Sequence, residues 1–134
     1  MATQSDKSFE EVATQIRQHL DERGWLRHAG RGLAISIALE ASELLEHYQW
    51  DDEAVGDKQA IAGELADIII YAFQFADSQD IDIAEAIGRK LASSAQKYPL
   101  SEFSKDLPQE ERQANWLKRK ARMTGDTKEE NSNE

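Results

Sequence analysis

From its amino end, the chain repeats apolar residues at helical intervals in four successive stretches. Ser8 followed by Glu11 has the spacing of a capping box. Phe9, Val12, Ile16 and Leu20 then form one stripe, which Gly24 closes, predicting a helix over about 8–22. Trp25 to Gly32 carries two glycines and no period, and is expected to be a loop. Leu33, Ile37, Leu44 and Tyr48 share a face and predict a second helix over about 33–48. The third, about 57–79, has two apolar stripes, one through Ile61, Leu65, Ile68, Ile69, Ala72 and Ala76, the other through Ala62, Ala66, Ile70 and Phe73. A surface helix needs only one such stripe, so this helix is expected to be covered both within its subunit and by another. Asp82 with Glu85 opens a fourth helix, about 82–98, which Tyr98 and Pro99 stop. Residues 100–107 read as irregular, and Pro108 opens a short helix to about 123. The polar run 124–134 is expected to be disordered. The fold class this predicts is all-α, a four-helix bundle in one domain over 1–123.

Composition narrows the field. The 134-residue chain has no cysteine, which removes disulfides and thiolate metal sites and fits a reducing, cytoplasmic setting. Its amino terminus lacks a basic start followed by an apolar run, so no secretory signal is expected. The longest uncharged apolar run, Ile68 to Ala76, is far shorter than the roughly 20 residues of a membrane span, so no membrane association is expected. A net charge of −10 argues against nucleic acid as a partner.

The negative charge is concentrated. Glu40, Glu43, Glu46, Asp51, Asp52, Glu53, Asp57, Glu64 and Asp67 face a single basic residue, Lys58, within one stretch. Glu40 and Glu43 are three apart on the second helix; Glu64 and Asp67 are three apart on the third. Side chains at i and i+3 share a helix face, and a short connection makes the two helices antiparallel neighbours, so the pairs can meet across a groove. Carboxylates that meet repel, at roughly 3 kcal/mol per pair for ~6 Å and an effective dielectric of 20. A cation relieves this. Oxygen-only ligands suit hard ions, Mg²⁺ or Mn²⁺ where phosphate supplies further ligands. Spacing by itself also fits two solvated acidic faces on a helical interaction protein. A di-iron bundle requires Glu-x-x-His on two helices, whereas this chain has only Glu43 followed four residues later by His47.

The stretches LAISIALEASELLEHYQW (Leu33 to Trp50) and GELADIIIYAFQFADSQDIDIAEAIGRKLASSAQKYP (Gly63 to Pro99) resemble the MazG-like, all-α nucleotide pyrophosphohydrolases. The resemblance is greatest to their dCTP pyrophosphatase branch. It implies Mg²⁺-dependent hydrolysis of a (deoxy)nucleoside triphosphate, dCTP or a modified dNTP, to the monophosphate and pyrophosphate. Residues Glu40, Glu43, Glu64 and Asp67 match the family's metal ligands. Trp50 and Trp25 match aromatics that stack on the base, and Tyr71 a substrate contact. Gly32 and Ser94 stand where that branch tends to carry asparagine, which bears on base and sugar selectivity.

Other roles follow from position. Glu46, one turn past Glu43, is a candidate base beside Glu40, against the alternative of a solvated glutamate. Lys90 and Lys97 share a face of the fourth helix and are candidates to steer a triphosphate, against the alternative of ordinary surface lysines. His28 and Arg31 are further candidates for base or phosphate. Lys118, Arg119, Lys120 and Arg122 read as a basic helix end or a subunit contact. A homodimer or homotetramer is expected. The rival activities are a dUTP-type or a phosphoribosyl-ATP pyrophosphohydrolase on the same scaffold.

Overall fold

A computed structural model describes residues 7–26, 29–50, 52–53 and 56–130. Six helices follow in order: α1 (Phe9–Asp21), α2 (Gly30–Glu46), α3 (Lys58–Ser78), α4 (Ile83–Lys97), α5 (Leu100–Phe103) and α6 (Gln109–Glu130). Among the described residues there is no strand, and the all-α helical architecture expected from the periodicity is the one observed. No helix among them is long and apolar enough to cross a membrane. The chain divides into two compact units, Met1–Ala84 and Glu85–Glu134.

In the first unit the helix ends follow from local chemistry. The Ser8 hydroxyl accepts the Glu11 N–H at 3.3 Å while the Glu11 carboxylate accepts the Ser8 N–H at 2.6 Å, completing the capping box. These bonds, the backbone one foremost, hold the Glu11 carboxyl below the usual carboxylate range. At the other end of α1, Gly24 takes a φ of +68° and returns the Trp25 N–H to the Leu20 carbonyl at 2.8 Å. Asp80 does the same for α3: its φ of 52° brings the Ile81 N–H to the Ala76 carbonyl, also at 2.8 Å. The start of α3 is fixed by Asp57, whose carboxylate accepts the Ala60 N–H at 2.7 Å.

The second helix begins at Gly30, inside the segment expected to be a loop. Its first residue lies against the exit of α3, where a Cβ would meet the Gln79 carboxamide at 2.8 Å and the Phe75 ring at 3.5 Å. Packing therefore overrides the low helical propensity of the two glycines. With the start of α2 beside the end of α3, the two helices run antiparallel. α1 packs on α3 through Phe9, whose ring lies 5.1 Å from that of Phe73, and through an Arg17–Asp77 ion pair. Among the described residues the buried apolar ones are Leu20, Leu33 and Ala76, joined by one buried polar residue, Gln74. Large apolar side chains on α2 and α3 remain bare, among them Leu39, Leu45, Leu65 and Ile69.

In the second unit no residue of α4 is buried. The segment expected to be irregular contains α5, which starts after Pro99 and packs on α6. Glu102 of α5 explains this order: both its oxygens accept from the Arg119 guanidinium, at 3.0 and 3.1 Å, and its carbonyl accepts the Asn115 amide. The helix expected over 108–123 runs on to Glu130, into the polar run expected to be disordered. The extension passes through Gly125 and the β-branched Thr124 and Thr127, residues of low helical propensity, and the helical backbone continues across them. The last four residues of that run lie outside the described part.

Candidate metal centre

Glu40 and Glu43 project from the middle of α2, and Glu64 from the second turn of α3. The antiparallel pairing brings one carboxylate oxygen of each within 4.8 Å of the others. Asp67 lies one turn beyond Glu64. It stands outside that three-oxygen group but close enough to act on Glu40 electrostatically. The Glu40 carboxyl is raised above the usual carboxylate range, first by partial burial and then by the negative charges of Glu43, Asp67 and Glu64. All four acids chosen from spacing thus register at one point, Glu40. Their donor set is oxygen only, which fits a hard divalent cation such as Mg²⁺ or Mn²⁺.

Glu43 and Glu64 also line a cavity of about 470 Å³ together with Glu46, His47 and Gly56. Glu46 is therefore beside the acids and not on the far side of α2. Two members of this cavity were given no site role from the sequence: His47, which entered only in the rejected di-iron pattern, and Gly56. His47 sits four residues after Glu43, on the same helix face, and its Nε2 is 3.9 Å from Glu64 Oε1. Gly56 lies directly against the imidazole. The spacing of His47 from Glu43 was the available signal; Gly56 was marked in the sequence only as part of the connection between the two helices.

The aromatic candidates are dispersed. Trp50, beyond the end of α2, is 85% exposed. Tyr71 lies on α3 one turn after Asp67 and is half-buried. Trp25 is about half exposed, its ring edge-on to His19 at 6.2 Å, and its carbonyl accepts a bond from the buried Gln74 side chain. Gln74 is a further residue that received no role from the sequence, since a glutamine inside an apolar stripe carries no marker of burial. Arg31 is exposed in the first turn of α2, and His28 lies outside the described residues. In the second unit Lys90 is exposed, and the Lys97 ammonium stands 5.4 Å from the Tyr98 ring centre. Of the basic group on α6, Arg119 pairs with Glu102 and Lys120 stands 4.9 Å from the Trp116 ring centre.

A larger cleft, about 870 Å³, opens between α1 and the end of α3, floored by Phe9, Ile16, Leu20 and Phe73. It contains none of Glu40, Glu43, Glu64 or Asp67. The acidic group that could hold a cation lies elsewhere.

Residues 35–108 match the model of the MazG-like family. The chain is 29% identical over 105 residues to dCTP pyrophosphatase 1 of Bos taurus and 28% identical over 104 residues to that of Rattus norvegicus. These matches take in 72% and 71% of this chain but 62% and 61% of the relatives, so the chain spans under two-thirds of their length. A solved structure of a pyrophosphatase from Archaeoglobus fulgidus superposes with a TM-score of 0.61 at 33% identity, covering 74% of this chain and 99% of that one.

Proposed function

Since the chain belongs to the MazG-like family, we propose that it is a nucleotide pyrophosphohydrolase, cleaving a (deoxy)nucleoside triphosphate and water to the monophosphate and pyrophosphate. The observation that carries this is the convergence of Glu40, Glu43 and Glu64 from two helices to within 4.8 Å. Glu40, Glu43, Glu64 and Asp67 hold the divalent ion, Mg²⁺ with Mn²⁺ as a substitute. When bound, it neutralises the triphosphate and makes phosphorus more open to attack. Glu40 and Glu46 are the candidate bases that take a proton from the attacking water. Trp50 and Trp25 offer faces for the base, Tyr71 a contact from α3, and Lys90 and Lys97 charge for the phosphates. The likeness to proteins named dCTP pyrophosphatase 1 supports dCTP, or a modified dNTP, as the substrate.

The bare leucines and isoleucine of α2 and α3 support assembly as a homodimer or homotetramer, which light scattering of the eluting protein measures. The activity is tested on a panel of dNTPs, NTPs and 5-substituted dCTP analogues with Mg²⁺, following released pyrophosphate. Including dUTP and phosphoribosyl-ATP separates the rival activities. Glu43→Ala or Asp67→Ala abolishes release on this reading; full activity in either variant defeats it.

A further inference from the structure

We propose that His47 is a positioning residue for the candidate metal centre. Backed by Gly56, its imidazole holds the Glu64 carboxylate turned toward Glu40 and Glu43. The inference rests on the reading of those acids as ion ligands and adds the group that orients one of them.

Three observations meet here. His47 is one helical turn after Glu43 on the same face of α2, and its side chain is only 18% exposed. Its Nε2 lies 3.9 Å from Glu64 Oε1. Among the described residues no other basic side chain comes within 4.0 Å of Glu40, Glu43, Glu64 or Asp67. The third is Gly56, at the far end of the α2–α3 connection. Any Cβ there would collide with Nδ1 and Cε1 of the imidazole, so the ring is pressed between the connection and α3. The demand for glycine at this position comes from the space the imidazole occupies.

A carboxylate on a two-torsion glutamate stem turns freely unless one oxygen is engaged. A donor on that oxygen fixes the plane of the group and so the direction of the other. At 3.9 Å the imidazole is beyond direct hydrogen-bond length, within reach of one bridging water or a small rotation of Glu64. Held by Gly56, His47 has little freedom to turn away. The length and path of the connection therefore act on the ion centre through a single ring.

The test uses the full chain and reads Mn²⁺ binding by electron paramagnetic resonance without nucleotide, alongside thermal melting in EDTA. His47→Leu keeps bulk and removes the donor; His47→Gln keeps a donor; Gly56→Ala displaces the ring. The expected result is that His47→Leu and Gly56→Ala weaken Mn²⁺ binding about 10- to 100-fold. His47→Gln recovers most of the loss, and the two His47 variants melt alike in EDTA. Should His47→Leu fail to fold, Gly56→Ala and His47→Gln still give opposite expectations. Wild-type binding in both His47→Leu and Gly56→Ala overturns the inference and leaves the ion centre standing, as does equal weakening in Leu and Gln. A wild-type protein that binds no Mn²⁺ overturns the ion centre and this inference together.

Discussion

On the proposed reading of the α2–α3 acids as ion ligands, stability responds to divalent cations in a way that can be calculated. Free of ions, the Glu40 carboxyl is raised first by partial burial and then by the negative charges of Glu43, Asp67 and Glu64. An ion that binds only the folded chain stabilises it by about 2.7 kcal/mol when present at about a hundred times its Kd. Unfolding entropy of about 2.1 cal/mol/K per residue gives about 0.28 kcal/mol/K for a 134-residue chain. The ratio is a rise in Tm of about 10 °C. The assay is thermal melting by circular dichroism in EDTA, in saturating Mg²⁺, and in NaCl of matched ionic strength. Glu40→Gln supplies the diagnostic sign: it removes a repelled charge, so it melts above wild type in EDTA and loses most of the Mg²⁺ increment. Acid acts in the same direction as that substitution. A group whose folded pKa is raised adds stability below its unfolded pKa and loses it as pH rises through the folded value. The ion-free protein therefore gains from Glu40 as pH falls through its raised pKa, and Mg²⁺ suppresses the gain. A melt that responds equally to Mg²⁺ and to matched NaCl, with Glu40→Gln no more stable than wild type in EDTA, would refute the reasoning.

Further outcomes are expected from single residues. Trp50→Ala removes a stacking face worth about 1–3 kcal/mol, raising KM for nucleotide about 5- to 150-fold. It leaves the melting temperature unchanged because the ring is 85% exposed. Asp57→Ala deletes the cap of α3 and costs about 1 kcal/mol in urea unfolding, while Asp57→Asn restores it. Gln74→Leu strips the Trp25 carbonyl of its partner and costs about 1–3 kcal/mol, read from the urea midpoint.

Much of this architecture is legible in local sequence because its determinants are local. The Ser8–Glu11 box is set within one helical turn and appears where the pattern placed it, and the third helix starts at the expected position, where the Asp57 side chain caps it. The exceptions depend on partners distant in the chain. The early start of α2 depends on Gln79 and Phe75, far along the sequence from Gly30. α5 is held by Arg119 and Asn115 of a later helix, and no periodicity in a four-residue segment could announce it. Gln74 interrupts an apolar stripe, and its burial makes sense only once the Trp25 carbonyl lies beside it. His47 had only its spacing from Glu43 to mark it, and the packing of Gly56 against its imidazole is visible only in three dimensions.

The sparse interior of this chain bears on how it must be handled. With Leu20, Leu33 and Ala76 as the buried apolar residues among those described, and side chains such as Leu45 and Leu39 more than half exposed, the single chain gains little from its own burial. On the proposed assembly as a homodimer or homotetramer, a partner subunit that covers those side chains contributes to holding the fold, and folding becomes subject to mass action. Melting temperature should climb with protein concentration, and dilute assay conditions should erode structure and turnover together.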